Sequence, residues 1–160
     1  MTEGSAIVFG DDVNTDLLHP SYFFSLDNTR VRDGFLGAVE STADRGVDRA
    51  RIIVAGKNFG CGSSRETTMT ALRLAGVQAV VAESFGRIFF RNAMSLGVPA
   101  LTATSLDGFA AAGDHLRITG DVLHNLTHSR EVNLQSLDPM WAEVLKAGGM
   151  IEFLCARGSL

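Results

Sequence analysis

The sequence predicts an α/β fold: one domain with a mostly parallel sheet flanked by helices, plus a small antiparallel β-meander. Two continuous apolar runs rich in β-branched residues, 51–56 and 77–84, have the pattern of strands buried on both faces. Each run leads to a segment with helical spacing of apolar residues, and repeated strand–helix units are typical of parallel sheets. After residue 114 the pattern changes to short alternating segments, which predict antiparallel strands.

The parallel part is expected to contain four strands and two helices. The strands are predicted at 5–10, 51–56, 77–84 and 98–103, and the helices at 66–76 and 85–97. Gly76 and Gly97 follow the last periodic residues of the two helices, as C-terminal caps often do. In the second helix we expect Ile88, Phe89 and Ala93 to point into the core.

The rest of the chain is predicted as a meander and a closing helix. The segments "HLRITG", "DVLHNLT" and "REVNLQS" alternate in hydropathy and are separated by turn residues. Over 138–149, Asp138 is placed as an N-cap before Pro139, and Gly148 is the expected stop. Met140 and Trp141 are predicted to be core residues, and the charged stretch 40–51 is predicted to be a surface connection.

Composition and charge exclude several functions. The 160 residues carry a net charge of −4 with scattered basic side chains, which argues against nucleic-acid or membrane-surface partners. The N-terminal stretch lacks the features of a signal peptide, and no window approaches the ~18 apolar residues of a spanning helix, so a cytoplasmic location is expected. Two distant cysteines make no disulfide framework or metal motif, and the four histidines lack metal-ligand spacing and are expected at the surface or in turns.

The segment 58–66, "NFGCGSSRE", allows four interpretations. As a structural feature, Ser63-x-x-Glu66 is a capping box at the start of a helix. A nucleotide-binding P-loop does not fit, because Lys57 precedes the glycines. A hydrolase nucleophile turn fits poorly, because it needs glycines two residues before and after the serine, where this chain has Cys61 and Arg65. The fourth interpretation is an anion site, in which helix-start N–H groups, two hydroxyls and the Arg65 guanidinium bind a small carboxylic acid.

Several ordered motifs resemble one protein family. "GKNFGCGSSRE", the opening "GDDVNTDLLHP" at 10–20, "AESFGRIFFRNAMSLGVP" at 82–99 and "EVLKAGGMIEFL" near the C-terminal end are similar to the small-subunit, or swivel-domain, side of the aconitase superfamily. The likeness is strongest to the small subunits of 3-isopropylmalate dehydratases and extends over nearly the whole chain. It implies a single swivelling β/β/α-type domain over residues 1–160.

The resemblance also implies a reaction and the residues that perform it. The family moves a hydroxyl between neighbouring carbons of a hydroxy diacid, with a four-iron–four-sulfur cluster on a separate large subunit as the Lewis acid. This chain is therefore expected to carry no cofactor of its own and to work with that cluster-bearing partner. The matching positions imply that Ser63 is the general base and Arg65 the carboxylate clamp, while Ser64, Asp16 and Thr15 bind substrate.

Substrate choice in this family lies in the loop after the opening motif. Relatives that act on a substrate with an extra carboxylate have an arginine there, whereas this chain has Phe23, Phe24 and Ser25. Aromatic side chains suit a branched alkyl substituent. The alternative is that the phenylalanines simply pack into the core. Thr67-Thr68 and Asn14 depart from the family pattern. The expected function is an alkyl-malate dehydratase subunit of leucine synthesis. The alternatives are a diverged paralogue for another malate derivative, including a homoaconitase-like one, a non-catalytic carboxylate-binding domain and, more remotely, a serine hydrolase.

Overall fold

The computed structural model describes residues 2–38, 50–63 and 65–158 of the chain. One sheet of seven strands runs through these residues, in the order β4-β3-β2-β1-β5-β6-β7. The strands are β1 Thr2–Val8, β2 Arg51–Ala55, β3 Val77–Ala82, β4 Ala100–Thr102, β5 His115–Thr119, β6 Val122–Asn125 and β7 Arg130–Asn133. The helices are α1 Thr15–Leu18, α2 Asn28–Ala38, α3 Glu66–Leu74, α4 Arg87–Ser95, α5 Pro139–Ala147 and α6 Met150–Ala156, with a 3₁₀ turn at Ser21–Phe23.

The predicted parallel strands and antiparallel meander are confirmed, but they form one continuous sheet. β1, β2, β3 and β4 are parallel neighbours, while β5, β6 and β7 pair antiparallel. β5 pairs antiparallel with β1, so Ser5 lies opposite both Arg51 of β2 and His115 of β5. The sequence analysis did not foresee this pairing, because it joins segments more than a hundred residues apart.

Two apolar cores lie on the two faces of the sheet. All five residues of β2 are buried, and successive side chains of a strand point to opposite faces. Ile53 and Ala55 join the helix-side core with residues of α2, α3 and α4, whereas Ile52 and Val54 join a second core with residues of β5 and β6. The sheet is therefore covered on one face by helices and on the other by its own curled meander and the loop before β5.

Several predicted helix details need correction. α4 buries Phe89 and Ala93 as expected, but Ile88 is exposed because Met94 completes the buried stripe instead. The closing helix begins after Asp138, whose side chain accepts the Met140 N–H, and ends at Gly148 as predicted. Of the two predicted core residues at its start, Met140 is exposed and Trp141 packs partly against the core.

Three helices were not predicted: α1, α2 and α6. Most of the predicted surface connection at 40–51 lies outside the described residues, and its last residue, Arg51, is the buried start of β2.

A first prediction concerns Gly60, which lies in the loop after β2. Gly60 has φ +75° and a Cβ there would overlap the Phe89 ring, whereas Gly108 has φ +64° with nothing within 4 Å of a Cβ. Alanine at either position carries the roughly 1–2 kcal/mol penalty of the left-handed conformation. Gly60→Ala should lose a further ~1–3 kcal/mol of unfolding free energy from overpacking. Urea denaturation of both variants measures this difference, and equal losses would contradict it.

Candidate active site

The loops that follow β1 and β2 are hydrogen-bonded to each other at the carboxyl edge of the sheet. The Val13 carbonyl accepts the N–H groups of Gly60 (2.8 Å) and Cys61 (3.2 Å), and the Thr15 N–H donates to the Cys61 carbonyl (3.1 Å). A side-chain bond of 2.8 Å from Asn58 Nδ2 to Asp12 Oδ1 adds to this pairing. Parallel strands end at the same edge of a sheet, so the two motifs singled out in the sequence become neighbours.

Five of the predicted site residues lie together as a result. Thr15 Oγ1 donates to the Ser63 carbonyl at 3.4 Å, and Arg65 Nη1 lies 3.8 Å from Asp16 Oδ1. The Arg65 Cζ atom sits over the Phe24 ring, 4.7 Å from its centroid. Ser64, between Ser63 and Arg65, lies outside the described residues.

The predicted capping box is wrong. α3 begins at Glu66 with Arg65 as its N-cap, and the Arg65 side chain makes no capping hydrogen bond within the described residues. Gly62 at φ +91° and the extended Arg65 backbone carry the chain past Ser63 before the helix begins. The Ser63 side chain is exposed and makes no hydrogen bond within the described residues, so its hydroxyl is available for other chemistry.

The start of α3 offers backbone donors beside this hydroxyl. In the described part of the chain, no acceptor lies within hydrogen-bond distance of the Glu66 or Thr67 N–H groups. Unpaired N–H groups at a helix start favour an anion.

Asn14, one of the two departures from the family pattern, organises the opening loop. Its side chain accepts the Asp16 N–H at 2.8 Å and caps α1. A Cβ on Gly62 would come within 2.9 Å of Asn14 Oδ1, so the glycine permits the close approach of the two loops. Asparagine and aspartate are about equally good caps, so this departure leaves the site geometry intact.

Phe23 and Ser25 make different contacts from those of Phe24. Phe23 packs against Gly34 of α2, where a Cβ would come within 2.6 Å of the Phe23 Cβ, and its ring lies 4.5 Å from that of Tyr22. Ser25 Oγ accepts the Asp27 N–H at 3.0 Å. The 3₁₀ turn at Ser21–Phe23 rotates neighbouring side chains apart, so only Phe24 of the three reaches Arg65.

His19 corrects the expectation that the histidines lie at the surface or in turns. It is 1% exposed, its Nε2 lies 3.0 Å from the Val31 carbonyl, and its ring stacks on Phe24 at 5.2 Å. Burial lowers the pKa of His19, although the bond to the Val31 carbonyl acts in the opposite direction. The apolar run around it, "LLHPSYFF", was the one signal in the sequence that could have revealed its burial. Each of the other three histidines, His115, His124 and His128, faces a carboxylate.

A cleft of about 660 Å³ lies at the same edge of the sheet and is lined in part by Asp11, Lys57 and Glu83. The Asp11 carboxylate accepts the Lys57 N–H at 2.6 Å, and Glu83 accepts the Leu106 N–H at 3.0 Å. These acidic groups hold backbone in place, and none of the predicted site residues lines the cleft. The predicted site residues therefore lie on the paired loops, outside this cleft.

The described residues also bear on metals and membranes. Among them, no three His, Cys, Asp or Glu side chains lie close enough to hold a metal ion. Cys61 is half-buried beside the site, with Sγ 3.4 Å from the Asp12 carbonyl, and Cys155 is exposed on α6. Within residues 2–38, 50–63 and 65–158, no helix has the length and apolar character that crossing a membrane requires.

Known proteins resemble this chain in sequence and in fold. The family model of the aconitase C-terminal domain matches residues 25–105. The 3-isopropylmalate dehydratase small subunit of Pyrobaculum calidifontis is 40% identical over 98% of this chain and 99% of its own length. A small subunit 1 of the same enzyme from Thermotoga maritima is 38% identical over 99% and 98% of the two chains.

A solved structure shows the same fold. The crystal structure of a 3-isopropylmalate dehydratase from Methanocaldococcus jannaschii matches with a TM-score of 0.85 and 31% identity, over 98% of this chain and 94% of that one. Both the sequence relatives and the fold therefore match along almost the whole chain. The chain belongs to the aconitase superfamily, within the family of 3-isopropylmalate dehydratase small subunits, which are components of a hydro-lyase.

Proposed function

We propose that this chain is the small subunit of a heteromeric hydro-lyase that reversibly dehydrates and rehydrates an alkyl-substituted malate in leucine synthesis. One observation carries the proposal: the exposed Ser63 hydroxyl, which makes no hydrogen bond within the described residues, lies two residues from the exposed Arg65 at the start of α3. Such a site can bind a carboxylate and move a proton on the same substrate.

Arg65 is the proposed carboxylate clamp. Its side chain is 42% exposed, and its 3.8 Å approach to Asp16 is longer than the ~2.7–2.9 Å of a strong charge-assisted bond. An exposed pair of this kind contributes little to stability. The guanidinium is therefore free to form two parallel hydrogen bonds to a substrate carboxylate, with Asp16 limiting its direction.

Ser63 is the proposed general base at the carbon that loses its proton. A serine hydroxyl accepts a proton only when its alkoxide is stabilised. The N–H groups at the start of α3 and the nearby Arg65 cation supply positive potential for that charge. Thr15 holds the Ser63 carbonyl, and Ser64 is proposed to add a hydrogen bond to the substrate.

The segment after the opening motif supports an alkyl substituent. Phe24 lies under Arg65, Phe23 and Ser25 flank it in sequence, and Leu26 is fully exposed. The segment 20–26 contains no arginine that could neutralise a further carboxylate. An apolar surface beside the clamp favours a branched alkyl group, because desolvating an extra carboxylate without a cation is unfavourable.

The Lewis acid is proposed to reside on the partner. The donor groups in the described residues do not fit an iron–sulfur cluster, which needs several cysteine thiolates close together. Relatives of this chain are named small subunits, which supports a larger partner that holds a four-iron–four-sulfur cluster. This chain would contribute the carboxylate clamp, the base and the wall for the substituent.

A diverged paralogue is the second candidate. Thr67 and Thr68 replace the residues that the family usually has after the Ser-Ser-Arg-Glu motif. In the described part of the chain, the buried Thr67 Oγ1 has no hydrogen-bond partner. A substrate such as dimethylmalate or citramalate would use the same clamp and base, so only the preferred substituent would differ.

Ser63→Ala tests the proposed base. In the enzyme reconstituted with its cluster-bearing partner, we expect kcat to fall by about 10²–10⁴, with little change in KM, because only proton transfer is removed. Thermal stability should not change, since the hydroxyl makes no hydrogen bond in the described residues. Ser136→Ala, an exposed serine outside the site, is the matched control. A Ser63→Ala enzyme with full turnover would refute the assignment.

Arg65→Lys tests the clamp. Lysine keeps the charge but loses the two parallel hydrogen bonds, so KM for the hydroxy diacid should rise by about tenfold or more. The control is Arg130→Lys, which should leave KM unchanged. Arg130 lies on β7 and donates a hydrogen bond to the Gly108 carbonyl. The assignment fails if both variants have the KM of the parent enzyme.

A further inference from the structure

A column of three side chains connects the interior to the proposed clamp. The buried His19 ring stacks on Phe24 with centroids 5.2 Å apart and planes inclined by 26°. The Phe24 ring in turn lies under the guanidinium of Arg65, 4.7 Å from its centroid to Cζ. One flat ring therefore contacts both a fully buried side chain and the exposed cation.

The base of the column is fixed by α2. His19 Nε2 lies 3.0 Å from the Val31 carbonyl, so in the neutral ring the Nε2–H donates to it. A Cβ on Gly34 would come within 2.8 Å of the His19 ring, so only glycine allows α2 to approach this closely. With one hydrogen bond and one close contact from the same helix, the plane of the His19 ring is determined.

Packing alone does not require a histidine at this position. Its Nδ1 is buried and has no hydrogen-bond partner among the described residues, which is unfavourable for a polar atom. A leucine would fill a similar volume without that loss. What leucine would not provide is a flat ring, fixed in orientation, under Phe24.

We propose that His19 is a positioning residue, whose ring sets the plane of Phe24 and thereby holds the Arg65 guanidinium in the direction of the substrate carboxylate. The inference rests on the proposed role of Arg65 as the clamp. An arginine on an exposed loop samples many rotamers, and binding must then order it. A fixed aromatic ring under the guanidinium reduces the conformational entropy that Arg65 loses when the substrate binds.

The first test is the Arg65 Nε–H resonance of the isolated chain, observed by NMR. A guanidinium over a ring is shifted upfield, and Phe24→Leu should abolish this shift. His19→Leu should remove at least half of it. The melting temperature should stay close to that of the parent, because leucine removes both the hydrogen bond to the Val31 carbonyl and the unpaired Nδ1. Leu116→Val, in the core on the far face of the sheet, is the control and should leave the shift intact. An unchanged Arg65 resonance in His19→Leu, or in Phe24→Leu, would overturn the proposal.

The second test is a double-mutant cycle in the reconstituted enzyme. His19→Leu should raise KM for the hydroxy diacid by about two- to fivefold, with a smaller effect on kcat, and should have no further effect in the Arg65→Lys background. If Arg65→Lys raises KM but His19→Leu does not, only the positioning role is wrong. If Arg65→Lys itself leaves KM unchanged, the clamp is wrong, and the positioning role is refuted with it.

Discussion

The pairing of the loops after β1 and β2 is the constraint on which the site depends. One carbonyl, that of Val13, accepts N–H groups from Gly60 and Cys61, and the Thr15 N–H returns a bond to Cys61. Parallel pairing of β1 with β2 delivers the two loops to the same edge, and Gly60 and Gly62 supply the backbone angles that the second loop needs. Without this pairing, Asp16 and Phe24 would have no fixed relation to Ser63 and Arg65.

The groups assembled in this way form the candidate site, which we propose is completed by a partner. They offer a hydroxyl, a cation and helix-start N–H groups on an exposed surface, which suit a carboxylate and a proton transfer. Among the described residues, no three His, Cys, Asp or Glu side chains lie close enough to hold a metal ion. The geometry therefore agrees with a subunit that completes a partner's site, as membership of this family leads us to propose.

The sequence predicted the parallel strands well, because β2 and β3 are buried on both faces and continuous apolar runs show this directly. It missed α2, whose two glycines, Gly34 and Gly37, weaken the local helical preference and whose stability comes from tertiary packing. The capping box failed for a different reason. A motif fixes which residues are near a helix start, but the extended backbone at Arg65 decides where the helix begins.

The burial of His19 depends on the same long-range packing and could not be derived from spacing. Its neighbours are apolar, but the contact that fixes its ring comes from α2. By contrast, family resemblance named the candidate residues on the two motifs as a set, and their proximity follows from strand order. Local pattern thus identified the candidate residues, while tertiary contacts place the buried His19 ring and the Phe24 ring beneath Arg65.

The central claim is that this chain supplies the base and clamp of a site completed by a cluster-bearing partner. The most direct measurement is anaerobic reconstitution, following the unsaturated diacid by ultraviolet absorbance with isopropylmalate, dimethylmalate, citramalate and homocitrate. We expect no turnover by the chain alone, and turnover of an alkyl-malate in preference to homocitrate once the partner is added. Turnover by the isolated chain, or a complex with an intact cluster that is silent on all four, would contradict the account.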